Sequence, residues 1–259
     1  MLKKEDLILK TKKFEEDYEL ILKMRETKTA PVDKMGLKKC IENTEKIDFN
    51  TYKYQCLVSL LLSAQTKDEI TYECTNNLIK YGLTIKNILK TKEDKINELI
   101  KKCGFHNNKA KYIKKLTNIL NEEYKGNVPE DYNLIIKLPG IGKKMGILFM
   151  KEVLNKNVGI GVDTHVHKIC NRLGWIDTNS PEKTENELQE IVPIKYWKNL
   201  NIELVGFGQE ICKSINPLCE NKCLLKDNCP YYNKKIKNKK KSKSKKKIIS
   251  KKRKIDYES

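Results

Sequence analysis

The chain has 259 residues, 39% of them hydrophobic and 34% charged, with a formal net charge of +19. That length is ample for burying an interior and suits one large domain or two smaller ones sharing a core. The balance points to a soluble protein and away from a membrane one, because the most apolar stretch, Cys56 to Leu62, is far too short to span a bilayer.

Met1 to Asp6 is charged and lacks an apolar core, so no secretory leader is expected. Glu15, Glu16 and Asp17 argue against a simple mitochondrial presequence. Apolar residues then recur at helical spacing. Leu7, Phe14, Tyr18, Ile21 and Leu22 fit one stripe, and Ile96, Leu99 and Ile100 a second. Tyr112, Ile113, Leu116, Ile119 and Leu120 make a third. Glycine and proline divide the chain into segments of helix length. Strand signals are scarce, and Val158 to Val162 is the one strand-like run. The fold class expected is all-α.

The sharpest local pattern is Leu138-Pro139-Gly140-Ile141-Gly142-Lys143-Lys144, between helical stretches at Tyr132 to Lys137 and Met145 to Leu154. Gly140 and Gly142 allow a tight turn and close approach to another molecule. Amides at the start of the following helix, with its dipole, favour an anion. Many helix–turn–helix corners use such glycines, so the pattern alone does not fix a function. Some twenty residues on, Asp163 stands where the strand-like run meets a new helical pattern. It suits a helix N-cap, and a carboxylate there, near a lysine, also makes a reasonable catalytic pair. His106, His165 and His167 are too few and too scattered for a zinc hydrolase; the last two read as packing or surface residues.

Nine cysteines occur, and four of them crowd together with the spacing Cys212-x6-Cys219-x3-Cys223-x5-Cys229. Without export, disulfides are not expected, and clustered thiols read as metal ligands. Structural zinc and a 4Fe–4S cluster both fit. Past Asn233 the sequence is mostly lysine, with 14 Lys or Arg between Lys234 and Lys254. Such a segment cannot bury enough surface to order itself. Setting aside those 14 charges and the two acids that follow them leaves +7 on residues 1–233. A basic body with a very basic tail points to a polyanion, nucleic acid being the usual one. A lysine run of this kind is commonly a nuclear import signal or a nonspecific nucleic-acid arm.

Taken together, several segments resemble the endonuclease III family of DNA glycosylases, in its eukaryotic form. They are Leu61-Leu62-Ser63-Ala64-Gln65-Thr66-Lys67-Asp68, Leu138 to Lys144, and Val162-Asp163-Thr164-His165-Val166-His167. Val205-Gly206-Phe207-Gly208-Gln209, the four cysteines and Ala30-Pro31-Val32-Asp33 complete the set. The resemblance covers roughly residues 20–232. It implies a two-domain helix–hairpin–helix glycosylase. Residues 45–158 would form a six-helix barrel, and residues 1–44 with 159–232 the domain holding an iron–sulfur loop. Residues 233–259 would be a disordered tail.

The resemblance also assigns roles. Lys144 is the Schiff-base nucleophile and Asp163 the catalytic carboxylate. Gln65 and Phe105 fill the hole left by an extruded nucleotide; His106 touches DNA beside Phe105; Gly140 and Gly142 cradle phosphate, with Lys143 a phosphate contact or nothing. Cys212, Cys219, Cys223 and Cys229 hold a 4Fe–4S cluster, with zinc the alternative. The family has two residues between the second and third of these ligands, whereas this chain has three, Glu220, Asn221 and Lys222; the one extra residue is expected to bulge from an exposed loop without moving the ligands.

An amine attacks only when unprotonated, and catalytic lysines titrate near 7–8; burial and a helix start are the expected means. The activity implied is removal of oxidised pyrimidines and β-elimination at the abasic site. The partner implied is double-stranded DNA carrying damaged pyrimidines or abasic sites, met by a monomer. Nuclear location is expected, with mitochondrial location open. Two rivals stand beside it, an adenine-specific glycosylase of the same superfamily and a non-catalytic helix–hairpin–helix DNA-binding protein.

Overall fold

The computed structural model describes residues 4–35, 37 and 47–236. Most of the expected disordered tail, residues 237–259, lies outside them. Helices follow one another in the order α1 (Lys4–Met24), α2 (Pro31–Met35), α3 (Phe49–Ser63), α4 (Asp68–Tyr81), α5 (Ile85–Lys90), α6 (Glu93–Leu99) and α7 (His106–Glu123). After them come α8 (Tyr132–Ile135), α9 (Lys143–Leu154), α10 (Thr164–Leu173), α11 (Pro181–Ile191), α12 (Ile194–Glu210) and α13 (Cys219–Lys222). Among the described residues there is no strand, and no helix is long and apolar enough to cross a membrane. The all-α expectation holds.

Two hydrophobic clusters organise these helices. The first gathers buried residues from Tyr54 to Met150. At its centre lies α3, buried continuously from Lys53 to Leu62; a helix apolar on every side belongs in the middle of a core. Its start is fixed by Asp48, which accepts from Thr51 N at 3.0 Å. Against it packs α7, which buries Ala110, Ile113, Leu116, Thr117 and Leu120, while Tyr54 and Thr117 join their hydroxyls at 2.6 Å. The expected stripe is right in its middle and wrong at its edge, since Tyr112 faces out.

The second cluster joins α1 to α10, α11 and α12. Phe14 meets the Trp175 ring edge-on at 4.8 Å, and Trp175 Nε1 donates to Asp17 Oδ2 at 2.8 Å. Phe14, Tyr18 and Ile21 turn inward, but Leu22 is exposed. Just beyond α1, Arg25 is wholly buried and held by Asp33 and Glu210, each at 2.7 Å. A charge that deep is tolerable only with such partners. It explains a glycine on α12: a Cβ on Gly206 would overlap the Arg25 guanidinium.

The chain passes between clusters through residues 155–163. The strand-like run there forms no strand, because no extended neighbour pairs with it. Instead Asn201 Nδ2 donates to Gly161 O at 2.6 Å. The seam is also stitched from α12: Gln209 Oε1 accepts from Val32 N at 3.0 Å, and its Nε2 donates to Asp68 Oδ2 at 2.7 Å.

Candidate active site

The hairpin is tighter than expected. α8 is a single turn, and α9 begins at Lys143 rather than Met145, so both lysines sit in its first turn. Gly140 and Gly142 serve different ends. Gly140 is left-handed, with φ +79°, and a Cβ there would lie 3.0 Å from both Leu61 and Tyr112. Its smallness clasps the turn onto α3 and α7. Gly142 has ordinary backbone angles, and a Cβ there would face open space. It caps α9 without any side-chain hydrogen bond. The first-turn amides of α9, which lack intrahelical partners, are thus left bare to an outside acceptor.

Lys144 Nζ lies 3.0 Å from Asp163 Oδ2. The other oxygen of Asp163 accepts from Val166 N at 2.8 Å, capping α10. One carboxylate therefore fixes a helix start and faces the amine. The pair joins residues 19 apart across two clusters, at the facing starts of α9 and α10. The Lys144 side chain is 38% exposed and that of Asp163 16%, so both groups are half-buried. Asp68 stands in the field of the same amine. Burial pushes its carboxyl up, while the Gln209 hydrogen bond and the charges of Lys144 and His165 pull it back. Lys143 is exposed and in the field of Glu182 and Glu185 on α11.

Gln65 and Phe105 come together from different loops. Both are exposed, Phe105 at 64%, and both hold left-handed backbones, φ +50° and +56°. A Cβ on Gly104 would lie 2.8 Å from Gln65 O, so the two loops abut. Exposure rules out Phe105 as an ordinary core aromatic. His106 is half-buried and pairs through Nδ1 with Asn97 Oδ1 at 2.5 Å, which engages its ring within the fold. His167 Nδ1 meets Thr184 Oγ1 at 2.7 Å. His165 packs on α12, where a Cβ on Gly208 would come within 2.6 Å of its ring. Both are packing residues, as expected.

Two residues here went unassigned in the sequence. Asp68 ends a quoted motif without a role of its own. Lys109 is buried beneath the two loops; its signal was its place on the apolar stripe of α7, four residues before Ile113.

Residues 58–194 match the HhH-GPD superfamily of base excision DNA repair proteins. The chain is 42% identical over 219 residues to the endonuclease III-like protein 1 of Gallus gallus, covering 84% of this chain and 77% of that protein. It belongs to the endonuclease III family. It is a base excision repair DNA glycosylase and abasic-site lyase. Two solved structures agree in fold. "Structure of a non-covalent Endonuclease III-DNA Complex" superposes with a TM-score of 0.68 at 27% identity, covering 78% of this chain and 94% of that one. "Structure of a Trapped Endonuclease III-DNA Covalent Intermediate: Estranged-Adenine Complex" gives 0.67 at 26%, covering 82% and 98%.

In this endonuclease III relative the four cysteines gather beside α10. Arg172 donates to Cys212 Sγ at 3.4 Å and to the carbonyls of Cys212, Lys213 and Ser214 at 2.9–3.1 Å. Cys229 Sγ donates to Arg172 O at 3.6 Å. Burial pushes the thiols of Cys212, Cys219 and Cys223 up, Cys223 to about 11, and the neighbouring thiols add to it. The three residues between Cys219 and Cys223 do not bulge as a loop; they wind into the exposed turn of α13. Among the described residues no three His, Cys, Asp or Glu side chains close on a single ion. Four thiols grouped in one place are a donor set that a 4Fe–4S cluster or structural zinc would take.

Proposed function

We propose that Lys144 is the nucleophile and Asp163 the charge-stabilising carboxylate of a lyase acting on oxidised pyrimidines and abasic sites in double-stranded DNA. The observation that carries this is the 3.0 Å approach of Nζ to Oδ2 at a half-buried seam between two helix starts. A hairpin that only gripped DNA would need no carboxylate aimed at its lysine. A flipped nucleotide brings its sugar to that seam. As the glycosidic bond breaks, its electrons leave with the base and positive charge grows on the sugar. The Asp163 carboxylate stabilises that charge. One proton leaves Nζ to solvent, freeing the lone pair that bonds to C1′, and a second leaves after the bond has formed. The C1′–O4′ bond then breaks, O4′ keeps the electron pair and takes up a proton from solvent, and an imine forms between Nζ and C1′. Loss of a C2′ proton then expels the 3′ phosphate.

The bare amides of Gly142 and its neighbours, with Lys143, suit a backbone phosphate. Gln65 and Phe105 suit the hole in the duplex, and His106 lies beside them. Cys212, Cys219, Cys223 and Cys229 would hold a 4Fe–4S cluster, which supplies structural cross-linking of residues 212–229 rather than chemistry at the sugar. The two hydrophobic clusters support a division into residues 45–158, the barrel, and 1–44 with 159–232. The lysine-rich tail supports nuclear import.

Incision of abasic and thymine-glycol duplexes tests the reading. Wild type should nick both, and borohydride should trap it on DNA. Lys144→Ala should bind but neither nick nor be trapped. Undiminished trapping of Lys144→Ala would place the nucleophile elsewhere.

A further inference from the structure

The Lys109 side chain reaches from the first turn of α7, the helix that Phe105 caps, to the root of the Gln65 loop. Its Nζ donates to Leu62 O, Ala64 O and Thr66 Oγ1, each at 2.7 Å. These acceptors bracket Gln65. Two of them are carbonyls at the end of α3, which have no partner inside the helix and draw a cation. An ammonium has three donors, and all three are used. The backbone amide of Lys109 also bonds Phe105 O at 3.0 Å, closing the first turn of α7. The side chain is buried, 4% exposed, and has no carboxylate partner among the described residues. A lone buried cation is costly, and a general helix-packing role would be met by a leucine. Burial pushes the amine down, which charge-assisted bonds to three oxygens must offset. Non-glycine residues in the left-handed region persist only where surroundings over-determine them, and this lysine ties the Gln65 loop to the start of the helix that Phe105 caps.

We infer that Lys109 is a positioning residue for duplex opening: it sets Gln65 and Phe105 in register so that both enter the base stack together. The inference rests on the assignment of those two residues to the void, and predicts a defect confined to double-stranded substrate. The test compares lyase rates, at saturating enzyme, on one abasic strand used alone and used in a duplex with 2-aminopurine opposite the site. The single strand has no stack to open and no partner base to hold.

Lys109→Met should slow the duplex reaction roughly 100-fold, the scale of a misplacement of about 1 Å, and should blunt the 2-aminopurine fluorescence change. The single-strand rate should stay within about two-fold, because Lys144 and Asp163 are untouched. Thr66→Val removes one of the three acceptors and leaves the core intact. It should give the same split at about ten-fold, so the inference stands or falls even if Lys109→Met fails to fold. Equal losses on both substrates, or no loss on either, would overturn it. Gln65→Ala with Phe105→Ala separates the two levels. If that pair also leaves the fluorescence and the rate ratio unchanged, the void assignment itself is wrong. If the pair shows the split and the Lys109 and Thr66 variants do not, only the positioning role is lost.

Discussion

Replacing Asp163 by asparagine separates its two tasks. The side-chain oxygen that accepts from Val166 N at 2.8 Å survives in asparagine, which caps helices about as well as aspartate does. Fold stability should therefore change by only a few tenths of a kcal/mol. What disappears is the charge 3.0 Å from Lys144. In the transition state the sugar carbon about to bond Nζ lies within about 4 Å of that carboxylate, where unit charges interact by about 4 kcal/mol at an effective dielectric of 20. The 38% exposure of the Lys144 side chain favours that value over the far larger one for a dry interior. At about 1.4 kcal/mol per ten-fold, base release should slow by roughly 10³-fold. The assay is single-turnover glycosylase rate on a duplex lesion, with affinity measured separately by fluorescence anisotropy and stability by urea melting. A drop below about ten-fold, with binding and melting unchanged, would refute the electrostatic role of Asp163.

The two hairpin glycines should respond oppositely. Gly140→Ala forces a Cβ into a left-handed site against Leu61 and Tyr112, and should cost at least about 1–2 kcal/mol in urea melts. Gly142→Ala meets open space, so stability should hold while DNA affinity falls. Asp68→Asn should alter the pH dependence of stability. A carboxyl raised by burial takes up its proton earlier in the folded state, so wild type gains stability as pH falls from the raised value toward the ordinary 3.8. The variant should be favoured most near neutral pH, its advantage shrinking on acidification; a pH-independent difference in urea melts would exclude this. Removing residues 237–259 takes away twelve Lys or Arg and two acids. It should flatten the salt dependence of DNA affinity and abolish nuclear accumulation of a fluorescent fusion; an unchanged salt slope would leave the tail without a role on DNA.

Much of the helical framework was legible because apolar spacing reports burial directly. It failed at the edges of stripes: Leu22 and Tyr112 fit the period but face solvent, since a period of 3.6 fixes a direction and not how far the core extends around the helix. The run from Val158 to Val162 had the composition of a strand, yet pairing needs a neighbour that no local pattern reveals. The proximity of Lys144 and Asp163 followed from motif order, whereas their exposure did not, because it depends on how the α11 and α12 segments close around the seam. Lys109 escaped notice for a plain reason. Lysine is read as surface by default, and only the backbone carbonyls at the end of α3, invisible in side-chain patterns, make an interior home for it.

The amine and its carboxylate come from different clusters, so their separation is set by whatever holds the clusters in register. Gln209 bridges α12 to both the Val32 amide and Asp68, at the root of the Gln65 loop. Gly208, one residue earlier, lets α12 press on His165, two residues past Asp163. Gly206 makes room for Arg25, whose acid partners Asp33 and Glu210 tie α2 to the same helix. Three consecutive functions of one short motif thus converge on the distance between Lys144 and Asp163. Since a covalent step requires reacting atoms held to about 3–3.5 Å, a loosened seam would lower the rate without removing any group that touches the sugar. Enlarging Gly208 to alanine should therefore reduce turnover more than it reduces DNA affinity, and equal losses in both would mean that α12 supports the fold alone.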